Sequence, residues 1–464
     1  MEQQNGAPLT TTKQQEIADV AVIGAGGAGL LAAIAAARGG ARTVLYERMK
    51  TAARKVAISG GGRCNFSNTL DARQFVRLFG DKNAGNLGHS LRTFSNSDLI
   101  GLLAQYGVEG QLEKNYRLYT KSGRGNDVVN ALLAELSKAG GSLVTQARIL
   151  SIKPNSSGFI LEGKFGDFDE RHTARTVIIC TGGLSYPVTG STGDGYAWAR
   201  ELGHGVTELR AALVGLAVDE PWTRTLQGLA WPDAQVSLWP APQDKETGDS
   251  AKGKSGKPLC TERAEILYTH FGISGPAILD VSNVFVGQGL RRAALSIDYF
   301  PDLTRETLDQ QIQERFKQFP NRGLARSLEG MMPSRLLEYL ERTVLQTSPQ
   351  ITEPIAVCRL PKAMRLKLLD LLKNTRLSVS GTRGIEFGEV TAGGIGWEGI
   401  DPVTLESKLT PGLFFAGEIL DLTGRCGGFN LQAAFSTGYQ AGANAAKKTA
   451  ASRNGNSIVS AAEA

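Results

Sequence analysis

The residues best suited to chemistry stand in glycine-rich stretches. The first is Gly24-Ala25-Gly26-Gly27-Ala28-Gly29, a GxGxxG spacing between an apolar run, Val20 to Ile23, and an alanine-rich run that reads as a helix from Gly29 to Arg38. Strand, glycine turn and helix in that order make a phosphate cradle. Gly24 permits the tight turn, Gly26 lets a pyrophosphate touch backbone, and Gly29 lets the helix pack on the sheet. The helix N-terminus adds roughly half a positive charge. A second strand, Thr43 to Tyr46, ends in Glu47, 23 residues after Gly24, where a carboxylate accepts hydrogen bonds from a ribose diol. The unit is expected to bind a dinucleotide and by itself does not choose between FAD and NAD. A glycine-rich packing turn is the plainer alternative.

Three further stretches bear on that choice. Residues 58 to 68, ISGGGRCNFSN, set Gly60, Gly61 and Gly62 in succession, an entropic cost that implies something approaching the backbone too closely for side chains. A buried strand, Val177 to Cys180, leads into Thr181-Gly182-Gly183, and Thr192-Gly193-Asp194-Gly195 opens a helix. Near the other end of the chain a strand, Leu413 to Ala416, leads into Gly417-Glu418, and Gly427-Gly428-Phe429-Asn430 opens a long helix of small residues. A ligand held by both ends of a chain is long.

The elements that must position these residues belong to a sizeable globular protein. A chain of 464 residues with 41% hydrophobic content can bury a core of two or three domains. Its 56 glycines, about 12% against a usual ~7%, suit an α/β protein with many close backbone approaches. Five scattered cysteines without metal or CxxC spacing favour neither a disulfide framework nor a zinc site, so a reducing compartment is expected. Residues 20 to 37 are uncharged and long enough to suggest a membrane span, but the glycines in their middle argue against one. The first residues lack a secretion-signal pattern. A net charge of +6 is mildly basic and compatible with a polyanionic partner.

These stretches resemble the two-dinucleotide-fold flavoproteins. Within them the likeness is to a bacterial family of FAD enzymes described as aminoacetone-oxidase-like or bile-acid-reductase-like, with ribosomal-RNA dihydrouridine synthases among its members. It is carried by GAGGAG, RKVAISGGGRCNFSN, RLYTKSGRGNDVVNALL, YTHFGISGPAIL, VTAGGIGWEGIDPVTLESKLTPGLFFAGEILD and GRCGGFNLQAAFSTGYQAG, over about residues 19 to 446. The resemblance implies an α/β fold in which both chain ends build one FAD domain, interrupted by an inserted β-barrel-like subdomain and a helical one. The expected boundaries are a disordered lead at 1–18, the FAD domain at 19–205 and 385–446, the barrel-like insert at 206–303, the helical subdomain at 304–384 and a disordered tail at 447–464. Short β-branched segments from 206 to 300 and the helical patterns PSRLLEYLERTVL and PKAMRLKLLDLLKN agree with this. Residues 241 to 259 read as a flexible, Gly/Lys-rich loop.

The resemblance also assigns chemistry. Gly60, Gly61 and Gly62 would lie against the flavin or its phosphates, and Arg54, Lys55 and Arg63 would bring positive charge to the phosphates or to the ring edge that turns negative on reduction. Solvated surface positions are the alternative for these cations. With Arg48, Asn65 and Leu431 beside these motifs, the expected cofactor set is complete. Reduction of a polarised C=C needs hydride on one carbon and a proton on the other. Candidate acids are Cys64 and Cys426, each beside an arginine expected to lower its thiol pKa, and His270 in YTHFGISGP. Tyr186 and Asn430 could polarise a carbonyl, and Asn430 could equally cap its helix. No second GxGxxG is present for a resident nicotinamide, so NADH or NADPH is expected as a transient donor.

Residues 359 to 383 hold seven basic residues and one acid, Asp370. Met364, Leu368, Leu371 and Leu372 form the buried stripe of an amphipathic helix and leave most of the cations outward, as on an RNA-tracking face or an ordinary solvated helix. The reading is therefore a cytoplasmic FAD-dependent NAD(P)H oxidoreductase, with uridine in large-subunit ribosomal RNA as the foremost substrate. A small-molecule reductase or oxidase is the rival, and a flavin-binding sensor without turnover the remote alternative. Neither metal nor membrane is expected among its partners.

Overall fold

The computed structural model describes residues 17–241, 257–347 and 355–462. Residues 1–16 of the expected lead and 242–256 of the Gly/Lys-rich loop lie outside the described residues. Two compact units are formed, Met1–Glu208 with Gly393–Ala464, and Leu209–Ala392.

In the first unit five parallel strands lie in the order Ser142–Val144, Thr43–Tyr46, Ala18–Ile23, Phe168–Ile179 and Leu413–Phe415. Ala18–Ile23 is buried at every position, the continuous apolar run of a strand covered on both faces. Ile23 stands beside Tyr46 and Ile179, and Ile179 beside Phe415, so these strands end level. Gly24, Glu47, Thr181 and Glu418, which follow those ends, are thereby gathered where open parallel sheets bind ligands. The N-terminal half of Phe168–Ile179 pairs antiparallel with Gly158–Phe165, which pairs with Ala147–Asn155.

The fingerprint helix, Gly27–Arg38, starts two residues earlier than expected and is buried from Gly27 to Ala37, as a helix apolar all round must be. It packs on the C-terminal helix, Phe429–Ala462. A Cβ at Gly438 or Gly442 would fall 2.1 Å from the Ala28 carbonyl oxygen or 2.0 Å from that of Ala32. Such close backbones explain the abundance of Gly and Ala in both helices. The helix continues past Lys447 to Ala462. Its alanines and lysines are strong helix formers, Thr449 is buried, and Arg453 pairs with Asp19.

His204 adds a pH-sensitive contact to this unit. Its Nε2 lies 2.8 Å from Ser407 Oγ, an oxygen that accepts from Leu409 N at 3.1 Å and Thr410 N at 2.8 Å, so the hydroxyl donates to a neutral imidazole. Burial holds His204 below its ordinary value of 6.5. The unfolded chain takes up a proton that the folded one refuses, so this group costs nothing above about pH 6.5 and destabilises progressively as pH falls below it. Between about pH 7.5 and 5.5 the melting temperature should fall further for wild type than for His204→Gln, which keeps an acceptor but cannot titrate. Equal falls would show that His204 contributes nothing.

The second unit is a closed antiparallel barrel in the order Leu216–Val218, Gly272–Ser274, Cys260–Tyr268, Ala230–Pro240, Ala293–Asp298 and Thr375–Thr382. The last strand falls within the stretch expected to be helical. Thr375, Leu377 and Val379 are buried while Arg376, Ser378 and Ser380 are exposed, the period of a strand with one covered face. Helices Arg305–Gln318, Ser334–Leu345 and Lys362–Asn374 share one core with the barrel, Leu308, Leu336 and Leu368 joining Val236, Leu295 and Val379. In Lys362–Asn374 the buried stripe is Met364, Leu368, Leu369 and Leu372, with Leu371 only partly covered.

The expected outward cationic face shrinks accordingly. Arg365 pairs with Asp309 at 2.6 Å and Lys373 with Asp298 at 2.6 Å. Arg376 lies over Trp239 at 5.2 Å, and Arg383 over Phe387 at 3.3 Å. Arg359, Lys362, Lys367 and Arg376 remain exposed.

Candidate cofactor-binding and active site

The level strand ends of the first unit line a cleft of about 910 Å³, counted to its open mouth. Gly24 holds φ at +96°, and a Cβ there would stand 2.7 Å from the Cys180 carbonyl oxygen. At Gly26, by contrast, a Cβ would meet nothing within 4 Å. Glu47 is 8% exposed. Its Oε2 accepts from Ala25 N and its Oε1 from Met49 N, both at 2.8 Å. Burial pushes its pKa up against the pull of those donors. Each carboxylate oxygen keeps a further lone pair. Thr181 Oγ1 is buried without a hydrogen-bond partner. An open glycine cradle, a buried carboxylate and an unsatisfied hydroxyl are what an adenosine diphosphate moiety needs, so these residues fit FAD.

Of the other expected residues, Arg48, Arg54, Lys55, Gly182 and Glu418 also line the cleft. Lys55 Nζ donates to Glu418 Oε2 at 2.9 Å and to Ser185 Oγ at 2.6 Å, joining residues 363 positions apart. Arg48 pairs with Asp194 at 3.1 Å and donates to Thr192 Oγ1. Gly27 and Gly29 sit behind the cleft: their Cβ positions would lie 2.7 Å from Phe435 and 1.8 Å from the Gly24 carbonyl oxygen. Gly417 donates its N–H to Thr437 Oγ1 at 3.0 Å. Gly183 is buried and Leu431 half-buried.

The remaining candidates form a second cluster around the three glycines. Gly60, Gly61 and Gly62 hold φ at +56°, +69° and +87°, three left-handed residues in a row, and this conformation demands glycine. A Cβ at Gly60 would also meet Tyr119 Cε1 at 2.9 Å, whereas at Gly61 and Gly62 the space is open. Arg63 pairs with Glu113 at 2.6 Å and lies over the Tyr119 ring at 4.1 Å. Asn65, with its amide oriented to suit, accepts from Gly428 N at 3.0 Å and donates to Ser67 O at 3.0 Å. Ser67 Oγ donates to Gln432 Oε1 at 2.6 Å, and Asn68 Nδ2 to the Gly427 carbonyl at 3.4 Å. The glycine loop and the Gly427-Gly428 turn are thus tied together. Asn430 spends its amide on this turn, accepting from Gly424 N at 2.8 Å and donating to Gly424 O at 3.0 Å.

The candidate acids differ in burial. Cys64 is 0% exposed, and burial pushes its thiol up to about 11, the reverse of the lowering expected from Arg63, whose charge is spent on Glu113. At about pH 8 only about one thiol in a thousand would then be ionised. Native protein treated with an alkylating reagent should therefore be labelled at exposed Cys358 and remain unlabelled at Cys64 until unfolded; rapid labelling of Cys64 would refute its burial. Cys426 is half-buried. His270 belongs to the second unit, is exposed, and has its ring edge-on to Phe271 at 5.2 Å. Tyr186 is also exposed.

Sequence reasoning missed Ser185, Glu113, Tyr119 and Arg117. Asp194 lay within the quoted turn before its helix, and Arg117 and Tyr119 within RLYTKSGRG, so the signal was position in a motif. Among the described residues no group of His, Cys, Asp and Glu could hold a metal, and no helix is long and apolar enough to cross a membrane.

The family described as "HI0933-like protein Rossmann domain" matches residues 18–444. The ribosomal RNA dihydrouridine synthase of Escherichia coli is 30% identical over 422 residues, 91% of this chain and 96% of that protein. The 3-dehydro-bile acid delta(4,6)-reductase of Clostridium scindens is 28% identical over 435 residues, 92% and 99% of the two chains. Among solved structures, 3-ketosteroid delta1-dehydrogenase from Sterolibacterium denitrificans shares the fold, with a TM-score of 0.51 at 12% identity over 93% of this chain and 100% of that one. On the match over residues 18–444, the chain belongs to the HI0933-like family of FAD-dependent oxidoreductases.

Proposed function

We propose that this protein takes hydride from NADH or NADPH through bound FAD and saturates the C5=C6 bond of a uridine in large-subunit ribosomal RNA, giving dihydrouridine. The observation that carries the reading is 30% identity, over nearly the full length of both chains, to a ribosomal RNA dihydrouridine synthase. When bound, FAD supplies the hydride. The protein's own residues bind and orient: Gly24 to Gly29 cradle the pyrophosphate, Glu47 holds the ribose, and Lys55 with Glu418 fixes the far end of the cleft. The loop Gly60–Arg63, with Asn65 and the Gly427-Gly428 turn, supports the flavin. Hydride adds to C6 and a proton must reach C5. Cys64, buried and with its thiol held protonated, is the poorest of the three candidate donors, which leaves Cys426 and His270. A cytoplasmic location belongs to the same reading, supported by five scattered cysteines without the spacing of a disulfide framework.

The second reading, the same chemistry on a small conjugated carbonyl compound, is favoured by the bile-acid reductase match over 99% of that protein. Nucleoside mass spectrometry of ribosomal RNA from cells with and without the gene separates them. Loss of dihydrouridine in the deletion strain, restored by the wild-type gene, is the expected result. Unchanged dihydrouridine would overturn the RNA reading, and NAD(P)H oxidation by the FAD-loaded protein with a panel of enones would then test the other.

A further inference from the structure

Three cations of the expected cofactor set are already engaged: Lys55 with Glu418 at 2.9 Å, Arg63 with Glu113 at 2.6 Å and Arg48 with Asp194 at 3.1 Å. Arg117 is not. It opens the middle strand, Arg117–Thr120, of a three-stranded sheet whose neighbouring strand is Asn65–Asn68, directly after the glycine loop. Its Nε is buried without a hydrogen-bond partner, and no carboxylate pairs with it among the described residues. A Cβ at Gly427 would lie 3.5 Å from its Cγ and its Nε. Arg117 therefore stands where the glycine loop and the C-terminal glycine turn are tied together, and its charge reaches the Tyr119 phenol.

A guanidinium nitrogen buried without an acceptor is destabilising, and the deficit is removed when a ligand supplies the acceptor. Arg cannot escape by losing its proton, and its planar fork suits a flat edge that carries a carbonyl oxygen. We propose that Arg117 receives a carbonyl oxygen of a pyrimidinedione ring. Two such rings belong to the reaction read above, on which this inference rests: the flavin of FAD, whose N1 and C2 carbonyl edge turns negative on reduction, and uracil, whose C4 oxygen turns negative as hydride reaches C6. In both cases the cation is most useful when the ring has gained electrons, so Arg117 favours the reduced partner.

The test uses full-length, FAD-loaded protein with Arg117→Gln and Arg117→Lys. If flavin is the partner, the Gln variant should favour reduced over oxidised flavin about tenfold less, a two-electron potential about 30 mV lower. The pH at which its reduced flavin takes up a proton should rise, and the Lys variant should recover most of both effects. If uracil is the partner, the potential stays put while kcat/KM with a ribosomal RNA fragment falls at least about tenfold, again with partial recovery by Lys. The flavin arm does not involve RNA, so it remains readable if the RNA reading fails. Unchanged potential, unchanged reduced-flavin titration and unchanged kinetics in the Gln variant would overturn the proposal. A further measurement covers variants that hold FAD poorly: in flavin-free protein the Gln variant should melt at or above the wild-type temperature, because it removes a buried guanidinium nitrogen that has no acceptor. A lower melting temperature would make Arg117 a structural residue and sink the idea.

Discussion

Replacing Gly29 with alanine is expected to yield a protein that no longer retains FAD. The new Cβ would fall 1.8 Å from the Gly24 carbonyl oxygen, and contacts under 3.0 Å are not tolerated, so helix and turn must part by at least about 1.2 Å. The turn cannot give way cheaply, since Gly24 N is held by the Tyr46 carbonyl at 2.8 Å and the Gly24 Cα faces the Cys180 carbonyl. Nor can the helix, since Gly438 and Gly442 press its other side against the C-terminal helix. Overpacking of this kind costs about 1–3 kcal/mol in stability, and displacing the cradle should weaken FAD binding at least about a hundredfold, about 2.7 kcal/mol. Gly26→Ala is the informative companion. Its Cβ meets nothing within 4 Å, so the melting temperature of flavin-free protein should match wild type while FAD affinity falls, because the methyl occupies the ligand's space. Titration of FAD into both apoproteins, with thermal melts alongside, checks the pair. A Gly26→Ala protein that binds FAD with wild-type affinity would remove the cradle from the site.

The second large effect is expected at Gln432. Its Oε1 accepts from Ser67 Oγ at 2.6 Å and its Nε2 donates to Ser436 Oγ at 3.0 Å, while Ser436 Oγ donates to the Phe94 carbonyl at 2.6 Å. Ser67, Gln432 and Ser436 are all 0% exposed. In Gln432→Leu the volume is nearly kept, but two buried hydroxyls lose a partner with no water to replace it, a cost of about 2–4 kcal/mol. The melting temperature of the first unit should fall by roughly 5–10 °C for a unit of this size. Because Ser67 lies on the strand that follows the glycine loop, the bound flavin should also become easier to remove by dialysis. A variant melting within a degree of wild type would show that the network does not hold the loop to the helix.

The elements that were readable in advance share one property: their signals are local. A buried parallel strand shows as an unbroken apolar run, and a glycine that must pass close to phosphate or to a neighbouring backbone shows as a fixed spacing. Ala18–Ile23, the fingerprint turn and Glu47 therefore stand where residue spacing placed them. The strand Thr375–Thr382 was less legible. It follows Lys362–Asn374 without a break, so a helical reading ran on into it, and only its pairing with Ala293–Asp298 and Leu216–Val218, far away in sequence, makes it the strand that closes the barrel. Beyond Lys447, where residue types alone suggest no element, the chain continues the helix Phe429–Ala462, and the Asp19 carboxylate gives Arg453 a partner.

By itself the sequence determined the dinucleotide fingerprint, the level of Glu47 at a strand end, the family and hence the flavin chemistry, because each depends on residues within one strand, one turn or one motif. Tertiary structure decided which charges are spent and which are not. Lys55 meets Glu418 across 363 positions, Arg63 is drawn to Glu113, Cys64 loses its ionisation to burial, and Arg117 keeps a buried nitrogen without a partner. Electrostatic partnership falls off with distance through space and desolvation depends on everything packed around a group, and neither quantity is written in the order of residues along the chain.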